Sequence, residues 1–207
     1  MTKTFKTAIL CLLAAICSLT ASAQFRYGAI AGPNLSSLKF KQDLVTVSHT
    51  PGATAGIQGE LMFPGIGFGV DMGLFYNMLG AKVNLGEKKI WASEGYGDVR
   101  VALHYLQIPF HLRFKYTRLN GLEEKIAPLV FGGPDFTILM AHGKCDAFKY
   151  AGGELGLTAG GGVELFRNWQ VTVSYTWGMT YALKTRLLED FSARNRHWTL
   201  RVAYFFK

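Results

Sequence analysis

Residues 169–181 read WQVTVSYTWGMTY, and residues 197–206 read HWTLRVAYFF. In the first stretch Trp169, Val171, Val173, Tyr175, Trp177, Met179 and Tyr181 alternate with Gln170, Thr172, Ser174, Thr176, Gly178 and Thr180. In the second, Trp198, Leu200, Val202, Tyr204 and Phe206 alternate with His197, Thr199, Arg201 and Ala203. A period of two is a β-strand with one apolar and one polar face. Aromatics mark the ends of each stretch and aliphatics lie between them. Trp169 to Trp177, like Trp198 to Phe206, is eight residues. A strand rising ~3.3 Å per residue and tilted by ~40° carries that distance to roughly 20 Å along a membrane normal. This is close to the apolar band of an outer-membrane barrel, with interfacial aromatics at its edges. A soluble sandwich or lipocalin-like barrel would instead enclose these rings in a core and leave the Thr/Ser/Gln face in water.

Residues 1–23 read as a cleaved signal peptide. Lys3 and Lys6 make a basic start, Ala8 to Leu19 is an apolar run too short to span a bilayer, and Ala21-Ser22-Ala23 is a small-x-small cleavage site. The barrel domain is then 24–207. Loss of Lys3 and Lys6 lowers the formal charge from +8 to +6, and loss of Cys11 and Cys17 leaves Cys145 alone, so an intrachain disulfide framework is excluded. No later segment holds eighteen consecutive apolar residues, which excludes a second membrane helix from this stretch of sequence.

The alternation recurs upstream. Leu106, Ile108, Phe110, Leu112, Phe114 and Tyr116 oppose Gln107, Pro109, His111, Arg113 and Lys115. Similar patterns run through 53–63, 66–78 and 154–165, and 25–33 and 126–140 complete the series by β-propensity. The expectation is an all-β fold: an eight-stranded antiparallel up-and-down transmembrane β-barrel with both termini on one side. Pro64-Gly65, Arg167-Asn168 and residues 117–125 make short connections. The stretches 34–50, 79–100, 141–152 and 182–195 read as long polar loops on the opposite rim.

Eight strands leave an interior just wide enough for side chains. The inward set expected from the alternation holds a charge network of Glu60, Asp71, Arg113, Lys115, Glu164 and Arg201, along with Gln58, His111 and Glu154. Isolated charges there would be costly, so they should pair. The expectation is that Glu60 and Glu164 meet Arg113 and Arg201. The membrane-interface aromatics expected on the outside are Tyr116, Trp169, Trp177, Tyr181, Trp198, Tyr204 and Phe206.

No chemistry-bearing motif stands out. The histidines are scattered, no C-x-x-C or H-x-x-x-H spacing exists, and no metal or cofactor is expected. A lipid-modifying enzyme would need a His, an acid and a Ser converging at the lipid-facing outer rim. His104 is the histidine placed there, and Ser93 and Glu94 lie in the 79–100 loop. Basic residues outnumber acidic ones in the loops, which suits phosphates of an anionic outer leaflet. Export argues against nucleic acid.

Several short motifs resemble the PorT-like outer-membrane β-barrel family of Bacteroidota, in order over almost the whole chain after residue 23. They are Gly28 to Ser37 (GAIAGPNLSS) with its Asn-x-Ser corner, Tyr76 to Lys82 (YNMLGAK), and Tyr105-Leu106-Gln107-Ile108-Pro109 followed by Lys115. Gly133-Pro134, Gly160-Gly161-Gly162-Val163-Glu164, and Ser174-Tyr175 with Gly178 follow. The resemblance implies a barrel in the cell outer membrane and no shared catalytic residues; the family's namesake takes part in type IX secretion. The expected role is therefore non-enzymatic: envelope structure, surface assembly or a secretion accessory. The alternatives are a lipid-modifying enzyme or a small-solute pore. Expected partners are outer-membrane lipid and lipopolysaccharide, the outer-membrane assembly machinery, and secretion or surface-complex proteins.

Overall fold

The computed structural model describes residues 24–41, 46–63, 67–84, 98–116, 125–143, 148–185 and 192–206. Residues 1–23, the expected signal peptide, together with Pro64-Gly65, Ser93, Glu94, Cys145 and most of 117–125, lie outside these residues.

Alternating sequence becomes alternating exposure. The strands are β1 (Gln24–Phe40), β2 (Thr46–Met62), β3 (Phe68–Asn84), β4 (Asp98–Lys115) and β5 (Ile126–His142). They continue as β6 (Phe148–Tyr150), β7 (Gly153–Leu165), β8 (Trp169–Gly178), β9 (Leu183–Thr185) and β10 (Ser192–Phe206). All pairings are antiparallel. The order β1-β2-β3-β4-β5-β7-β8-β10 is closed by β10 on β1, from Tyr27–Phe206 to Phe40–Ala193. The short β6 prolongs β7 beyond a break at Ala151-Gly152, and β9 prolongs β8 beyond a break at 179–182. β9 joins β6 to β10, so the wall has eight staves, two of them interrupted. Closure removes the unpaired edges that an open sheet would carry.

The outward faces are apolar along their middle stretches. Val173 is 46% exposed and Leu200 42%, while Thr172 and Arg201, next to them in sequence, are buried. Toward the rim that carries Gln24 and Phe206, tilted rings pack against one another between strands. Trp169–Tyr204 centroids are 4.9 Å apart, Tyr27–Phe206 5.7 Å and Phe68–Phe114 4.9 Å. Toward the opposite rim Tyr175 packs against both Trp177 (4.6 Å) and Trp198 (4.8 Å). The two aromatic bands lie at the two ends of the lipid-facing columns, as in outer-membrane barrels.

The loop expectation needs correction. Residues 34–40, 46–50, 79–84, 98–102 and 192–195 are strand, so the wall continues well past the outer aromatic band. The physical reason is that inward positions of these extensions are apolar. Leu38, Phe40, Leu79, Ala81, Val83, Val101, Leu103, Tyr105, Phe148, Ala182, Leu183 and Ala193 form one buried cluster inside the outer end of the barrel. Their outward partners are polar, which in sequence looks like a loop. At the other rim the β7–β8 turn sets Phe166 and Arg167 at φ 51° and 64°. Two non-glycine residues in the left-handed region make this a strained turn.

Candidate functional site

The interior is stacked in layers, because inward residues two apart on a strand stand ~7 Å apart along it. Nearest the Gln24/Phe206 rim, Arg26, Glu60 and Asp71 lie side by side on β1, β2 and β3, each directly opposite the next. Two carboxylates in direct opposition repel. Arg113 resolves this from β4: its guanidinium reaches Glu60 at 2.7 Å and Asp71 at 2.6 Å, and donates to Gln170 Oε1 at 2.9 Å. Arg26 bridges Glu60 (2.7 Å) and Glu164 (2.5 Å), and Lys115 reaches the same two carboxylates at 3.3 and 3.2 Å. The Gln170 amide donates to both, at 2.8 and 2.9 Å. Three cations thus meet three carboxylates in one hydrogen-bonded knot, the arrangement that makes burial of charge tolerable.

A second layer holds rings and one further cation. Arg201 donates to Ser174 Oγ at 3.0 Å and lies 5.3 Å from the Phe75 ring centroid. Contrary to expectation, it makes no ion pair among the described residues. Alternation fixes the face of a residue but not its height. Arg201 lies two inward positions beyond Phe205 on β10, and it is Phe205 that sits under Arg26, 4.9 Å from it. Beside this layer His111 Nε2 meets Asp135 Oδ1 at 2.9 Å. Asp135 also accepts from Thr158, whose hydroxyl is 2.6 Å from that of Thr176. Gly160 leaves room for Phe131: a Cβ there would stand 2.7 Å from the ring and 2.6 Å from the Val173 carbonyl oxygen.

Higher still, Asn77 donates to Gln107, and Asn195 donates to Glu154 and, at 3.2 Å, to the Tyr105 hydroxyl. The apolar cluster described above closes the outer end. Beside these layers the interior is filled by side chains. The space enclosed by Asp71, Arg113, Gln170 and Arg201 measures about 10 Å³, and that beside Asp135, Glu154 and Asn195 about 20 Å³. Each has room for about one water.

Of the expected network, Glu60, Asp71, Arg113, Lys115 and Glu164 come together, and Arg201 stands apart. Arg26 and Gln170 complete the knot without having been expected in it. The signal for Arg26 was present: Phe25 and Tyr27 point to lipid, so the even positions Arg26, Gly28, Ile30 and Gly32 point inward. Phe75 was passed over in the same way, as an apolar residue on a face otherwise lined by Gly67, Gly69, Asp71, Gly73 and Asn77.

Tyr116, Trp169, Trp177, Trp198, Tyr204 and Phe206 all point outward. Tyr181 is a correction. It falls in the break after β8, where the inside/outside alternation no longer applies, and Arg194 and Lys184 lie 5.1 and 5.7 Å from its ring centroid. The hydrogen bond and charge of Arg194 lower the pKa of its hydroxyl. The outward His104 meets the Tyr76 hydroxyl at 2.6 Å, with neither a serine nor a carboxylate beside it among the described residues. Among the same residues no three His, Cys, Asp or Glu side chains are grouped to hold a metal ion.

The outer membrane protein beta-barrel domain family matches residues 20–183. Among solved structures, the outer membrane protein OprG of Pseudomonas aeruginosa is similar at 15% identity and TM-score 0.50, covering 89% of this chain and 95% of that one. Neisserial surface protein A matches at 11% identity and TM-score 0.48, covering 89% and 99%. The attachment invasion locus protein Ail of Yersinia pestis matches at 12% identity and TM-score 0.41, covering 88% and 99%. No curated protein matches significantly. A chain with this closed eight-stranded wall, lipid-facing aromatic bands and family match belongs to the outer membrane protein beta-barrel domain family and resides in the outer membrane.

Proposed function

We propose that this barrel is a non-enzymatic envelope protein whose lumen is a structural plug, and whose outer rim is a platform for surface assembly or secretion, in the manner of PorT-like proteins. The observation that carries the reading is the packed interior. A polar path would need continuous space, whereas the gaps beside the charged layers measure about 10 and 20 Å³. A rigid wall continued beyond the membrane suits a docking surface, and the ordered series of motifs from GAIAGPNLSS to Ser174-Tyr175 supports the PorT-like assignment.

The test has two arms. The purified barrel in a planar bilayer is expected to give no sustained conductance; stable ohmic steps would favour the pore reading. Affinity purification of the intact envelope complex under mild detergent is expected to retain surface or secretion proteins. Recovery of the barrel alone, together with altered phospholipid or glycolipid after incubation, would favour a lipid-modifying enzyme.

A further inference from the structure

Between β1 and β2 the outer wall opens locally. β1 and β2 pair from Gln24–Met62 up to Ser36–Thr50 and, among the described residues, no further. Beyond that point β1 stays on β10 as far as Phe40–Ala193, and β2 stays on β3 as far as Thr46–Asn84. A groove of about 400 Å³ lies there. Its membrane-ward part is made by Leu35, Tyr175 and Trp198, and its outer part carries Lys39, His49 and Arg196.

The ladder sets the order of these groups. Leu35 faces Trp198 across β1–β10; the next outward pair is Ser37–Arg196, and the next Lys39–Arg194. Trp198 ends the lipid-facing column that runs back through Leu200, Val202 and Tyr204 to Phe206. The cations therefore begin one ladder step, ~7 Å, beyond the outer aromatic band. Lys39 and Arg194 are like charges in direct opposition, with Arg196 on the same face, an arrangement that repels unless an anion lies among them. Neither Lys39 nor Arg196 meets a carboxylate among the described residues, and no described acidic residue lines the groove.

We propose that this groove seats the phosphate-bearing headgroup of an outer-leaflet glycolipid. Lys39 and Arg196 donate to the phosphate, His49 flanks it, and the first methylenes of an acyl chain lie on Leu35 and Trp198. Lipid is the occupant because the floor is continuous with the hydrocarbon-facing column; a free anion would use the cations and leave the aromatic floor idle. The site is independent of whether the barrel serves a secretion or surface complex.

The test uses the barrel folded in phosphatidylcholine nanodiscs doped with diphosphoryl lipid A, with retained lipid counted by native mass spectrometry. Lys39→Gln with Arg196→Gln is compared with Lys149→Gln with Lys184→Gln, a directly opposed lysine pair elsewhere on the rim. The expected result is one lipid A held by the unmodified barrel, with affinity lowered roughly tenfold or more by K39Q/R196Q, as befits loss of charge-assisted hydrogen bonds. Affinity should be unchanged by K149Q/K184Q, lost when the lipid A is dephosphorylated, and resistant to millimolar inorganic phosphate. Equal retention by K39Q/R196Q, equal loss in the control pair, or equal binding of dephosphorylated lipid would each overturn the proposal. Heat-modifiable migration on gels confirms that every variant is folded.

Discussion

Ser36 Oγ stands 2.8 Å from both the amide nitrogen and the carbonyl oxygen of Gly80, a residue 44 positions away on a strand that β1 does not pair with. It reaches across β2, where the β2–β3 register shifts between His49 and Thr54. The bulge takes Gly80 off the β2–β3 ladder, though it stays opposite Ala102 on β4, and the serine hydroxyl receives its N–H. This gives the Asn-x-Ser corner at Asn34-Leu35-Ser36 a physical meaning: its last residue repairs a bulge from inside the barrel.

Ser36→Ala should leave the Gly80 amide buried and unpaired. A lost buried hydrogen-bond partner costs about 1–3 kcal/mol. Urea unfolding in detergent, followed by loss of heat-modifiable migration, should show a lower midpoint for Ser36→Ala than for Ser37→Ala, which changes an outward hydroxyl.

Arg113 is the cation between Glu60 and Asp71. Arg113→Met leaves both carboxylates short of a partner and should destabilise by about 3–5 kcal/mol. Adding Asp71→Leu removes the carboxylate that Arg113 alone neutralises, since Glu60 keeps Arg26 and Lys115. The double variant should recover much of the loss. A double variant no more stable than Arg113→Met would mean that the knot is not held in the pairing described.

Val173→Arg puts a charge on the lipid face near the middle of the column from Trp169 to Trp177. Such a change costs about 2–4 kcal/mol at mid-bilayer. Surface levels should fall, Trp177→Asp should act in the same direction, and Thr172→Ser, one residue away but inside, should be silent.

Leu183 belongs to the apolar cluster that fills the outer end of the barrel. Leu183→Ala should cost about 2–5 kcal/mol, the usual range for a buried leucine. If 182–195 behaved as a solvated loop, the same change would leave the unfolding midpoint where it was.

The membrane-spanning stretch was legible in the sequence because lipid demands apolar side chains at every second position, and β4, β8 and β10 obey without exception. The outer extensions were not. Above the membrane the outward face becomes polar and the inward face becomes apolar, so Leu38, Leu79 and Leu103 continue the strand with the sides exchanged. A bulge in β2 and breaks before β7 and after β8 add shifts of phase that no period-two reading follows. The charged interior was half legible. Direction came from alternation, which found Glu60, Asp71, Arg113, Lys115 and Glu164. Height depends on the stagger of neighbouring strands, which is why Arg201 was paired with the wrong layer; Arg26 was missed although Phe25 and Tyr27 on either side of it already faced it inward.

The claim on which everything rests is that hydrocarbon bathes Val173 and its outward neighbours. A spin label at Val173→Cys, in a chain carrying Cys145→Ser and folded into lipid vesicles, tests it directly. Relaxation by oxygen, which partitions into lipid, should be fast and relaxation by a water-soluble nickel chelate slight, with the order reversed for a label at Lys39→Cys above the membrane. A label at 173 that collides freely with the nickel chelate would contradict it.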